Sequence, residues 1–199
     1  PLGRPRTNMN ISGLLENLMR RETLSVDEAA AAMGAIMSGE ATPAQIGALL
    51  VGLTMKGERP AEIVGLARTM RANAVQLSKT FDDVFDTCGT GGDRSGTFNI
   101  SSAAALVVAK HGNRSVSSQC GSADVYEALG VNVAAAPAVV EQSLESVGIA
   151  FFFAPTFHPS MRHAAPVRRE LAVRTAFNLL GPLTNPAGTR RQLVGVPHS

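Results

Sequence analysis

From Ile11 to about Leu77 apolar residues recur at helical spacing. Ile11, Leu14, Leu15 and Leu18 fall on one face of a first short helix. Ser25-Val26-Asp27-Glu28 is a capping box that opens a second, which carries Ala29, Ala32, Met33, Ile36 and Met37 and stops at Gly39. Thr42-Pro43-Ala44-Gln45 opens a third with proline at its first position, and Ile46, Leu49, Leu50 and Leu53 form its stripe before Gly57. Pro60 begins a fourth, through Ile63, Leu66, Ala67 and Met70. Four short helices with tight connections predict a small bundle, whose Met and Leu stripes serve as core or dimer contact rather than as a cofactor box.

At Phe81 the pattern changes. The sequence predicts a strand over 82–86, a helix after Asn99, a short strand over 114–117, and a helix over 122–129 ended by Gly130. A strand over 131–134, a helix over 137–147, a fully apolar strand over 149–153, a long helix over about 165–180 and a last strand over 192–196 follow. This alternation predicts a mostly parallel sheet with helices on its faces. The fold class is α/β: a small all-helical N-terminal domain plus a larger, mostly parallel α/β domain. Such sheets bind ligands at the carboxyl ends of their strands. The polar segments GTGGD, KHGNRSVSS, APTFHPSMRH and GPLTNPAG fall at those ends.

The stretch DTCGTGGDRSGTFNISS, from Asp86 to Ser102, reads as strand, glycine loop and helix. Glycines let a ligand approach backbone N–H groups without Cβ atoms in the way, and a helix start near Asn99 would turn its free N–H groups toward an anion. Neither GxxxxGK[ST] nor GxGxxG fits, so a ligand-free βα turn stays open beside a phosphate site. Lys110-His111-Gly112-Asn113-Arg114 with Ser115, Ser117 and Ser118 suits either a solvated loop or a phosphorylated sugar. Of Arg168 and Arg169, one reads as a surface charge and the other as a bidentate clamp on a carboxylate. His158 and His163 flank Ser-Met-Arg in a proline-bounded turn and admit structural and functional readings alike.

Composition narrows the classes. Apolar residues make up 45% of the 199, enough to bury a substantial core or to split it between two domains. A net charge of +2 is spread thinly, aromatics are 5% and Trp is absent, so there is no basic and aromatic stripe for nucleic acid. No apolar run approaches the roughly 20 residues of a membrane span. Cys88 and Cys120 are not at metal-ligand spacing, and nothing near Pro1 has the pattern of a signal peptide, which predicts a cytoplasmic setting.

Three motifs in order, DTCGTGGDRSGTFNISS, KHGNRSVSS followed by GSADVYEALGV, and HPSMRHAAPVRRELAVRTAFNLLGPLTNPAG, resemble the anthranilate phosphoribosyltransferases of tryptophan biosynthesis. The resemblance implies a nucleoside phosphorylase-like architecture, a homodimer formed through the helical domain, and a magnesium-dependent transfer of the 5-phosphoribosyl group from its 1-diphosphate to the amine of anthranilate. It puts 5-phosphoribosyl diphosphate on Gly89, Gly92, Asp93, Thr97, Asn99, Ile100, Ser101, Ser102, Lys110, His111, Gly112, Asn113, Arg114, Ser115, Val116, Ser117, Ser118 and Ser122, with Ser101 as a magnesium ligand. Anthranilate would sit against Gly89 and Asn113, Arg168 clamping its carboxylate and His111 and His158 lining its approach. Lys110, Asn113 and Arg168 are the implied catalytic residues: Lys110 stabilises the departing diphosphate, while Asn113 and Arg168 align the amine.

The implied domain plan is a disordered lead over 1–10 and a helical domain over 11–79, completed by helices within about 159–181. An α/β substrate-binding domain over 80–158 and 182–199 follows, its C-terminal part missing. The family pattern runs on past Ser199, through more strands and an acidic pair that holds magnesium. Only ten residues separate Asn99 from Lys110, fewer than the family usually has, and Gln119-Cys120 stands where it usually has Lys-Ser. The rival readings are a pyrimidine nucleoside phosphorylase and a non-catalytic homologue that binds a sugar phosphate or nucleic acid.

Overall fold

The computed structural model describes residues 11–90 and 122–196. Helices α1 (Ile11–Met19), α2 (Val26–Ser38), α3 (Pro43–Lys56) and α4 (Pro60–Ala72) form the bundle. Their starts are where the capping chemistry places them. The Ser25 hydroxyl accepts from the Glu28 N–H while the Glu28 carboxylate accepts from the Ser25 N–H, and Thr42 and Gln45 exchange the same pair of bonds. The two bonds from Ser25 hold the Glu28 carboxyl below its ordinary pKa. Gly39 ends α2 at φ 80, a conformation that favours glycine, with the His163 ring packed beneath it.

Helices α2 and α4 cross closely at Gly65. A Cβ there would lie 2.3 Å from the Val26 carbonyl oxygen and 2.8 Å from Ala29 Cβ, and the first of these is backbone that cannot swing aside. Gly65→Ala should therefore destabilise the fold by about 1–3 kcal/mol from overpacking, despite the helix propensity it gains. A lower urea midpoint with an unchanged slope is the expected signature.

The chain then enters β1 (Phe85–Gly89), and after the segment that is not described come α5 (Ser122–Ala128), α6 (Pro137–Val147), α7 (Ala154–Phe157), a 3₁₀ turn (Pro159–His163), α8 (Ala165–Leu171), α9 (Phe177–Leu183) and β2 (Arg191–Gly195). Strands β1 and β2 pair in parallel, Phe85 opposite Arg191 and Gly89 opposite Gly195. Ala164, Val167, Ala176, Phe177 and Leu180 pack into the same core as the bundle stripes. A second core gathers Val140, Leu144, Ala150, Phe152 and Phe157, with the Phe152 and Phe157 rings 5.0 Å apart.

Three predicted elements need correction. Residues 131–134 form a turn, with Val133 buried beside Ala123 and Tyr126. Residues 149–153 run without a strand partner among the described residues, and their apolar character is used by burying Phe152 in the second core. The long helix over 165–180 is broken: Ala172 adopts φ 50 and ends α8, and the chain re-enters a helix at Phe177. The first and last strands lie at Phe85–Gly89 and Arg191–Gly195, shifted from 82–86 and 192–196. The expected disordered lead 1–10, the helix after Asn99 and the strand over 114–117 lie outside the described residues.

Candidate functional site

The carboxyl end of β1 is held by side chains from β2, from α9 and from the segment just ahead of α9. Asp86 and Thr87 are fully buried, Gly89 is exposed and Thr90 is buried again. The Asp86 carboxylate accepts from Gln192 Nε2 at 3.0 Å, which ties β1 to β2, and the Cys88 thiol of the same strand donates to it at 3.5 Å. Gln192 Nε2 also donates to the Pro182 carbonyl, so the end of α9 is held to the same pair of strands.

Thr90 is pinned from three directions. Its N–H donates to the Gly195 carbonyl at 3.0 Å. Arg174 Nη2 donates to its hydroxyl at 2.9 Å, and Asn178 Nδ2 to its carbonyl at 3.4 Å. Arg174 and Asn178 were not legible as partners of the glycine loop, because RTAFN reads as the interior of one continuous helix. The signal would have been a break at Ala172, and no glycine or proline stands there.

The two arginines of VRREL separate in space. Arg169 is exposed, whereas Arg168 is half-buried with its guanidinium 5.7 Å from the centroid of the Phe177 ring. Burial lowers the Arg168 pKa from the ordinary arginine value. No carboxylate pairs with this cation among the described residues. A partly desolvated guanidinium on an aromatic face, held without an anion, is suited to a planar carboxylate.

His158 is buried at the end of α7, its N–H donating to the Ala154 carbonyl at 2.8 Å, and His163 lies in the 3₁₀ turn against Gly39. Ser122 is the first residue of α5. Of the other residues implied as ligand contacts, Gly89 and Arg168 are described. Gly92, Asp93, Thr97, Asn99 to Ser102 and Lys110 to Ser118 lie outside the described residues. Among the described residues no group of three or more His, Cys, Asp or Glu side chains could hold a metal ion. No helix among them is long and apolar enough to cross a membrane.

Comparison with known proteins agrees with this architecture. The helical bundle domain of a glycosyl transferase family matches residues 12–74, and the a/b domain of the same family matches residues 81–199. Anthranilate phosphoribosyltransferase from Syntrophobacter fumaroxidans is 56% identical over 189 residues, an alignment that covers 92% of this chain and 56% of that protein. The enzyme of the same name from Moorella thermoacetica is 57% identical over 189 residues, with 92% and 56% covered. The crystal structure of anthranilate phosphoribosyltransferase from Thermus thermophilus superposes with a TM-score of 0.85 at 49% identity, covering 94% of this chain and 58% of that one. The Saccharomyces cerevisiae enzyme in complex with PRPP and Mg superposes with a TM-score of 0.84 at 24% identity, which bears on the fold alone. This chain thus spans a little over half the length of the relatives it matches. With a bundle and an a/b domain both matched, the chain belongs to this glycosyl transferase family, and within it the likeness is to the anthranilate phosphoribosyltransferases.

Proposed function

We propose that the protein transfers the 5-phosphoribosyl group from 5-phosphoribosyl 1-diphosphate to the amine of anthranilate, releasing pyrophosphate, in tryptophan biosynthesis. The observation that carries this reading is Arg168. It is a half-buried cation on the ring of Phe177, without an acidic partner among the described residues, and Phe177 opens α9, the helix that packs against β1. Anthranilate offers an anionic group for the arginine and, beside it on the ring, the nucleophile.

An aniline nitrogen is a weak nucleophile, so an oxocarbenium-like transition state is the reasonable route. The protein's work is then to orient the amine on C1 of the ribose and to stabilise the leaving diphosphate. Arg168 does the first, with Asn113. Lys110 and the N–H groups of the glycine loop do the second, and no side chain is required as a general base. Gly89 would face both substrates, His111 and His158 would line the entry of anthranilate, and the diphosphate would lie along Gly92 to Ser102, Lys110 to Ser118 and Ser122.

Magnesium, when bound, would neutralise charge on the diphosphate. Ser101 is the one ligand within these 199 residues that the resemblance offers, and the buried Asp86 is already engaged by Gln192 and Cys88. The domain plan given above, helical over 11–79 with completion from within 159–181, belongs to the same proposal. It is supported by the shared core of α8, α9 and the bundle. A homodimer through the bundle is supported by Met19 and Met55, exposed at the ends of α1 and α3, where Leu18 seats against Gly52. A cytoplasmic location fits substrates of this kind.

The test is loss of anthranilate fluorescence on adding 5-phosphoribosyl diphosphate and magnesium. Consumption dependent on both supports the reading, while phosphorolysis of thymidine in its place would establish the phosphorylase.

A further inference from the structure

We propose that Arg174 and Asn178 are positioning residues that fix Thr90, and through it Gly89, against the stretch that carries Phe177, the ring under Arg168. This rests on the reading of Gly89 and Arg168 as parts of one site. Thr90 follows the exposed Gly89 directly and is itself 6% exposed, with its N–H, carbonyl and hydroxyl all engaged. Two of those three bonds come from residues 174–178, not from the sheet.

The same residues support the arginine. Phe177, whose ring lies under the Arg168 guanidinium, is the immediate neighbour of Asn178. Asn178 is itself fixed, its Oδ1 accepting from the Thr175 N–H at 3.1 Å while its Nδ2 reaches Thr90. One short stretch therefore carries the platform of the carboxylate clamp on one residue and the anchor of the β1 end on the next. Phe177 and Leu180 are sunk in the bundle core, so this stretch cannot drift without disturbing that core. After the break at Ala172, Arg174 reaches Thr90 from the segment ahead of α9 and Asn178 from the first turn of α9.

The consequence is geometric. A displacement of about 1 Å at an oriented centre can cost on the order of 100-fold in rate. Thr90→Val removes the hydroxyl and keeps the shape, and Asn178→Asp keeps the acceptor for the Thr175 N–H but cannot donate to the Thr90 carbonyl. Each is expected to lower kcat by about 10- to 100-fold with a smaller change in the KM for 5-phosphoribosyl diphosphate. Thr90→Ser should recover most of the rate. Amide exchange in a peptide covering residues 85–90, measured without substrates, should accelerate in both impaired variants.

A merely structural role would lower the melting temperature and leave kcat per folded molecule unchanged. Wild-type kcat together with wild-type exchange in Thr90→Val and Asn178→Asp would overturn the inference. Should the unaltered protein consume no anthranilate, the functional reading fails by itself, and exchange at 85–90 still decides whether Arg174 and Asn178 hold the β1 end.

Discussion

Arg168→Ala is expected to raise the KM for anthranilate about 100-fold or more, with a much smaller effect on the KM for 5-phosphoribosyl diphosphate. The magnitude follows from what the side chain has already lost. Its guanidinium is half-buried and its pKa is lowered by that burial, yet it stays a cation at any pH where the enzyme would work. A carboxylate meeting it makes a charge-assisted, bidentate contact in a partly desolvated place. Truncating one partner of such a pair costs about 2–5 kcal/mol, and each 1.4 kcal/mol is tenfold in affinity. Arg168→Lys should recover only part of the loss, since an ammonium presents a point charge instead of a planar fork and does not lie flat on Phe177. Steady-state titration of anthranilate at saturating co-substrate reads this directly. An unchanged KM in Arg168→Ala would remove the residue from the site.

The same experiment separates binding from alignment. If the arginine only holds the acceptor, KM rises alone; if it also aims the amine, kcat falls with it. The contrast with Asn178→Asp is informative because that residue is not proposed to touch anthranilate at all. A fall in kcat there, beside a rise in KM at Arg168, would resolve the stretch from Arg168 to Asn178 into a clamp and an anchor.

How much of this was legible in the sequence depended on how local its causes are. The starts of α2, α3 and α4 were readable, because a capping box or a proline at the first turn acts within four residues. Helix α6 was readable for the same reason, opened by Pro137 and closed by Gly148 at φ 78. The apolar run over 149–153 was not, because a short hydrophobic segment looks alike whether it pairs in a sheet or merely buries an aromatic ring. Nor was the break at Ala172, where an alanine takes a left-handed conformation that glycine would adopt more cheaply. Packing of Phe177 and Leu180 into the bundle, together with the bonds to Thr90, outweighs that local cost. In the candidate site the residue types and their order were visible. The distinction between Arg168 and Arg169 came from the resemblance; in the structure Arg168 is half-buried and Arg169 exposed. The anchor on Thr90 was invisible because it joins positions more than 80 apart in the chain.

The largest effect on stability is expected at a residue the hydrophobic pattern passes over. Glu62 is fully buried in α4, and its carboxylate joins three elements of the bundle. Oε1 accepts from the Leu24 N–H at 2.9 Å, ahead of α2. Oε2 accepts from the Arg59 N–H at 2.8 Å, at the start of α4, and from Lys56 Nζ at 2.9 Å, at the end of α3. The Lys56 side chain is 4% exposed, so both charges of the pair are out of water. Glu62→Ala would leave the ammonium with only the Gly57 carbonyl, strand two backbone N–H donors and open a cavity. Breaking a buried pair from one side costs about 3–5 kcal/mol, a large share of the stability of an ordinary domain. Lys56→Met with Glu62 retained should also be costly, since the carboxylate keeps two backbone donors but loses its counter-charge. The double variant Lys56→Met/Glu62→Met should lose less than the sum of the single losses, because neither charge is then left buried alone. Urea unfolding of the four proteins closes this cycle. Strict additivity would mean that Glu62 serves the bundle as a backbone acceptor and that its charge contributes nothing.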